Sequence, residues 1–229
     1  MHTHGSIKLF PLQLHSGYLK LDESIRNTFI KEIDKQTINS SKDKDAWTGD
    51  LNNNNNLHEN PVFQPLFKLL PTIINSYCKT LGIKIEKFNP YITRAWGTKS
   101  YPHQSISQHN HAYASLAFIY YPFVPENDKG LIIEDPSLAN EIIPGLFIDE
   151  SYNTLIEPCA ATSKSVALPV TTDSFIIMPA KINHHTKENP DTIKCRYSIA
   201  VDIIMILKEA TNVEPCLTPI HKWKLCNGI

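Results

Sequence analysis

From Gly82 to about residue 207 the chain breaks into short runs rich in Ile, Val, Phe, Tyr and Thr, separated by clusters of Pro, Asn, Asp and Gly. Such runs suit a pleated, half-buried surface, and the punctuation between them stops a helix from propagating. Strands are expected at roughly 83–99, 104–110, 113–123, 130–134, 145–149, 153–157, 165–170, 174–179 and 195–207. This is the pattern of an antiparallel β sandwich or barrel of about eight strands.

Upstream the periodicity is helical. Ile25, Phe29, Ile30 and Ile33 form one stripe in 22–36, led by Asp22 and Ser24 as cap candidates. A second stripe runs through Phe63, Leu66, Phe67, Leu70, Ile73, Ile74 and Tyr77 behind Asn60-Pro61, with Pro71 placed to kink or split the helix. Between them, 37–56 carries Ser, Lys, Asp and five consecutive asparagines, whose side chains compete with regular backbone bonding, and reads as an exposed loop with Trp47 tucked beneath it.

The chain has 229 residues, with 22 basic and 23 acidic side chains. That balance gives no footprint for nucleic acid and no polybasic signal for a membrane surface. The most apolar stretch, SIAVDIIMIL at 198–207, is about half a bilayer span and holds Asp202 in its middle, so no transmembrane helix is expected. Five scattered cysteines without a CxxC pair read as reduced packing thiols of a cytoplasmic protein.

One strand mouth carries chemistry. In QHNHAYASLAFIYY, His109 and His111 stand at i and i+2, which on a strand project to one face, close enough to share an ion. A further ligand is needed, and KINHHTKEN supplies His184 and His185 just after the apolar run FIIMP. Downstream, Arg196 and Ser198 again share a strand face in CRYSIAVDII. Histidines at one mouth with an Arg-x-Ser pair nearby make a metal site beside a carboxylate site. Iron takes imidazole and oxygen ligands, and a guanidinium holds the far carboxylate of a chelating acid. His2 and His4 in MHTHGS are left out of this site, and His15, His58, His103 and His221 read as structural or solvent-exposed.

These motifs, in order, resemble the Fe(II)- and 2-oxoglutarate-dependent oxygenases, in a branch related to the prolyl hydroxylases. The resemblance rests on RAWGT around Trp96, QHNH, LAFIYY through Tyr120 and Tyr121, GLIIEDP at 130–136, MPAKINH through His184, and RYSIAVD from Arg196. AWTGD at Trp47 and the helix before Gly82 extend it over most of the chain.

The resemblance implies a mainly β double-stranded β-helix, a cupin-like jelly roll with flanking helices. One domain over 1–229 is expected, with 1–82 as helical support, 83–207 as the jelly-roll core and 208–229 as a C-terminal tail. It implies Fe(II) as cofactor and 2-oxoglutarate as cosubstrate. His109 and His184 correspond to the two imidazole ligands, Arg196 to the anchor of the distal carboxylate, Ser198 to its hydrogen-bonding helper, and Tyr120 to a cosubstrate contact. Relatives mostly carry aspartate where His111 stands; either His111 is the third ligand or a carboxylate, Glu134 or Asp135, completes the shell. Asp173 stands where a turn glycine is common.

The implied activity is that of an oxidoreductase: a dioxygenase hydroxylating an amino-acid-like, peptidyl or other small substrate, with succinate and CO2 as co-products. Two other readings stay open, a three-histidine cupin-type dioxygenase that does not use 2-oxoglutarate and a non-catalytic jelly-roll binding module. The expected partner is a small-molecule or peptidyl substrate, with no nucleic acid and no membrane; the oligomeric state is open, a homodimer included.

Overall fold

Strand-forming residues dominate the second half of the chain, and in the computed structural model they pair into two antiparallel sheets. Residues 11–37, 43–134, 137, 140, 143, 159, 162–209 and 217–224 are described. The strands are β1 (His15–Tyr18), β2 (Trp47–Thr48), β3 (Phe88–Ser100), β4 (Ile106–His109), β5 (Leu116–Phe123), β6 (Leu131–Glu134), β7 (Ser165–Leu168), β8 (Ser174–Pro179), β9 (His184–Thr186) and β10 (Arg196–Leu207). A six-stranded sheet runs β1-β8-β5-β10-β3-β2 and a four-stranded sheet runs β4-β9-β6-β7. The fold is a mainly β jelly roll.

Period-two alternation sorts each central strand into two environments. On β10, Tyr197, Ile199, Val201 and Ile203 join a core shared with the helices, while Arg196, Ser198, Asp202 and their neighbour Ala200 face the other way. β5 divides likewise: Phe118 and Tyr120 go to the helical side, Ala117, Ile119 and Tyr121 to the space between the sheets. That space is closed by Leu131, Ile133 and Val170, which leaves a lined cavity rather than a filled sandwich.

Three helices pack on the outer face of the larger sheet: α1 (Glu23–Gln36), α2 (Gln64–Phe67) and α3 (Leu70–Thr80). The stripe expected in α1 buries Phe29 and Ile33 completely. Asp22 precedes this helix but makes no side-chain cap bond; its carbonyl accepts from Ile25 and Arg26 instead. The second stripe is split, with the break falling between Phe67 and Leu70 so that Pro71 occupies the first turn of α3, where its missing N–H costs no helical bond.

Several expectations needed correction. The 37–56 segment is not simply a loop: Trp47 and Thr48 pair with Lys99 and Thr98 at the edge of β3, because the buried Trp47 anchors the segment there. β1 and β9 lie outside the expected strands; at three residues β9 carries too little alternation to register. The strands expected at 145–149 and 153–157 lie outside the described residues, as do Cys216 and Cys226. Cys78 and Cys195 are free thiols. No helix among the described residues is long and apolar enough to cross a membrane.

Candidate metal centre

β4 ends at His109 and β9 begins at His184, and antiparallel pairing sets these two residues directly opposite one another. His111 arrives differently. The strand expected to carry it stops at His109, and the chain turns: the N–H of His111 donates to the Ala180 carbonyl at 2.9 Å, and the N–H of Ala114 donates back to the His111 carbonyl at 3.1 Å. The turn swings the His111 ring inward, where it is buried. One ligand-capable atom of each of His109, His111 and His184 lies within 4.8 Å of the other two.

The second nitrogen of each ring fixes the tautomer. Nδ1 of His109 meets the Ser107 carbonyl at 2.8 Å, and Nδ1 of His184 meets the Ile182 carbonyl at 2.9 Å. Carbonyls only accept, so both Nδ1 atoms are protonated donors and the lone pair of each neutral ring sits on Nε2. Nδ1 of His111 donates to Oδ1 of the buried Asp202.

Nε2 of His111 and Nε2 of His184 stand 3.4 Å apart. Two imidazoles binding one ion at about 2.1 Å need nitrogens roughly 3.0–3.4 Å apart, so the residues present fit a metal. Burial depresses the pKa of His184 to about 3, with the neighbouring His109 adding to the effect, and burial also lowers that of His109. Both rings are therefore neutral and ready to ligate at neutral pH.

The ring of His111 is held by stacking as well as by Asp202. Trp96 stacks on it at 5.6 Å between centroids and 25° between planes, and Arg94 covers Trp96 with its guanidinium carbon 5.1 Å from the ring centroid. Arg94 also donates twice to Oδ2 of Asp202, from Nε at 2.8 Å and Nη2 at 2.6 Å. Burial would raise the Asp202 pKa, but the His111 hydrogen bond and Arg94 prevail and hold it below the ordinary carboxylate value.

A cavity of about 420 Å³ opens from the histidines between the sheets and reaches Arg196 and Ser198 on β10. Arg196 is buried and already paired: its Nη1 donates to Asp128 at 3.2 Å, and that carboxylate is itself held by the Gly130 N–H at 2.8 Å. Tyr120 does not border this cavity. Its hydroxyl lies on the helical side of β5 and donates to Asp173 at 2.8 Å; alternation brings Tyr121 to the cavity wall instead. Burial raises the pKa of the Tyr121 phenol, against the pull of Arg196.

His185, one residue past the cluster member, lies 3.4 Å from Glu134. Glu134 thus stands by His185 rather than in the cluster, and Asp135 lies outside the described residues. Among the described residues the metal-competent group is three histidines. Asp202, Arg94 and Asp128 were missed by sequence reasoning. For Asp202 the signal was present: it shares the period-two stripe of Arg196 and Ser198 on β10.

No family model matches the chain, and no curated protein matches it in sequence. Solved structures do match in three dimensions. HygX from Streptomyces hygroscopicus, with nickel, 2-oxoglutarate and hygromycin B bound, is 9% identical over 84% of this chain and 82% of its own, at a TM-score of 0.53. The viral collagen prolyl hydroxylase of Paramecium bursaria Chlorella virus-1, in its 2-oxoglutarate complex, is 12% identical over 83% of this chain and 94% of its own, at 0.51. This chain shares the 2-oxoglutarate-dependent oxygenase fold. SnoK, an alpha-ketoglutarate-dependent carbocyclase of nogalamycin biosynthesis, is 11% identical over 86% of this chain and 82% of its own, at 0.53. The fold therefore accommodates more than one reaction outcome, and the reading of this chain's chemistry comes from its own site.

Proposed function

We propose that this protein is an Fe(II)- and 2-oxoglutarate-dependent oxygenase that hydroxylates an amino-acid-like, peptidyl or other small substrate. The observation that carries this reading is the 3.4 Å separation of Nε2 on His111 from Nε2 on His184, with His109 completing the cluster, in a cavity that Arg196 also lines. Bound Fe(II) supplies the redox chemistry that couples O2 and 2-oxoglutarate to oxidation of a substrate carbon, with succinate and CO2 released.

The chain's own residues do the rest. The Nδ1 contacts to Ser107, Asp202 and Ile182 keep the three Nε2 atoms aimed at one point. Arg196, with Asp128 bracing Nη1, takes the distal carboxylate through its remaining N–H groups, and Ser198 beside it offers a hydroxyl. Tyr121 replaces Tyr120 as the phenol bordering the cosubstrate. Ile119, Leu131 and Ala200 line the same cavity and keep the space between metal and guanidinium poor in water.

One observation favours a second reading. Arg196 is neutralised by Asp128, so a dicarboxylic acid would share one guanidinium with a resident carboxylate. A three-histidine dioxygenase that does not use 2-oxoglutarate has no such conflict. Purified protein supplied with Fe(II), ascorbate and 2-oxoglutarate under air separates the two. The oxygenase reading expects succinate, with Arg196→Ala raising KM for 2-oxoglutarate at least about tenfold through the lost charged contact. Oxygen uptake without succinate, unchanged in Arg196→Ala, would establish the second reading instead.

A further inference from the structure

Asp202 lies behind the metal cluster rather than in it, and its two oxygens have separate duties. Oδ2 takes both contacts from Arg94, and Oδ1 is left to Nδ1 of His111. The exposures differ sharply: the side chains of Asp202 and His111 are 4% and 3% exposed, whereas that of Arg94 is 42% exposed. The positive partner is therefore screened by solvent, while the carboxylate acts on His111 through a water-excluded contact.

The backbone is shaped for this contact. The register between β10 and β3 shifts between Asp202 and Ile203, a bulge of the kind that re-aims a side chain beside a site. Arg94 and Trp96 come from one face of β3, so the same two strands supply the carboxylate, the cation that holds it and the aromatic that clamps the ring. A surface-facing ion pair would need none of these.

We infer that Asp202 is a positioning residue for the metal centre, fixing the Nδ1–H tautomer of His111 and lending the metal, through that imidazole, the negative charge that three neutral ligands do not supply. The inference rests on the metal-binding part of the proposed function. A carboxylate hydrogen-bonded to a ligand imidazole raises its basicity and orients it, and loss of such partners commonly lowers metal affinity about 10–100-fold. Delivering charge through the ring also leaves the coordination position with a nitrogen donor, which separates this centre from one that ligates the carboxylate directly.

The test is anaerobic titration of Fe(II), with Co(II) as a redox-inert second probe, into wild-type protein and variants whose folding is checked by circular dichroism. Asp202→Asn keeps an acceptor and the side-chain volume but removes the charge; we expect affinity to fall about 10–100-fold with one ion per chain retained, and the reduction potential of bound iron to move positive. In H111D/D202N the charge is returned directly to position 111, and affinity should recover to within about tenfold of wild type, which a merely structural Asp202 would not permit. Unchanged affinity and potential in Asp202→Asn would overturn this inference alone, as would a double variant no better than Asp202→Asn. Absence of metal binding by wild-type protein would overturn both it and the proposed function.

Discussion

Single residues settle what the cavity faces. Tyr120 and Tyr121 are adjacent and both buried, yet strand alternation sends one phenol to Asp173 on the helical side and the other to the cavity. Asp173 explains its own place in the sequence. It sits at φ 71°, a conformation that Asp tolerates better than most residues, and its carboxylate accepts from the Lys20 N–H at 2.6 Å, the Leu21 N–H at 3.3 Å and the Tyr120 hydroxyl. A glycine would relieve the backbone and lose all three bonds. Tyr120→Phe should therefore lower stability by about 1 kcal/mol in chemical denaturation, the cost of leaving a half-buried carboxylate short of a donor, while KM for 2-oxoglutarate stays at the wild-type value. A changed KM with unchanged stability would place Tyr120, not Tyr121, at the cosubstrate.

Elements hold the site by packing against its back. α1 lies across the larger sheet, and it approaches so closely at β3 that a Cβ on Gly97 would come within 2.6 Å of Cγ1 of Ile33. Gly97 is flanked by Trp96 and Thr98, both of which face the cavity, so this contact sets the depth of the cavity wall. Gly97→Ala should destabilise by about 1–3 kcal/mol through overpacking, and combining it with Ile33→Ala should recover part of that loss, a non-additivity readable in a double-mutant cycle. Full additivity would show that α1 does not press on the strand. The long strands and both main helices were legible because each offers several turns or alternations of apolar residues. The 3-residue β9 was not, and its absence from the sequence reading hid the pairing that sets His184 opposite His109. His111 was legible as a ligand candidate for the wrong local reason, since a turn and not a strand aims it. Asp128 and Arg94 escaped notice because their partners, Arg196 and Asp202, are 68 and 108 positions distant.

Across the whole molecule the cluster imposes a pH dependence on folding. His184 titrates near 3 in the folded chain, against about 6.5 when unfolded, so the unfolded state binds more protons between those values. Stability is full above about pH 6.5 and declines below it, by about 1.4 kcal/mol for each pH unit that this one ring is kept neutral. His109 adds to the same slope, and Asp202, whose folded pKa is lowered, gives a further loss as pH falls through the carboxylate range. Thermal melts of metal-free protein from pH 8 to 5 should show Tm falling as the pH drops below about 6.5, and an ion added at 100 times its Kd should add about 2.7 kcal/mol at neutral pH. A flat profile would mean that the rings are not held neutral by burial.

The proposed chemistry depends on His109, His111 and His184 sharing one metal ion. Anaerobic equilibrium titration of Fe(II) into wild-type protein and the single variants His109→Ala, His111→Ala, His184→Ala and His185→Ala reads this out. One ion should bind per wild-type chain, with affinity reduced about a hundredfold or more by each of the first three changes and little affected by the fourth, because His185 stands by Glu134 rather than in the cluster. A His185→Ala loss equal to that of His184→Ala, or a cluster histidine whose removal leaves affinity unchanged, would contradict it.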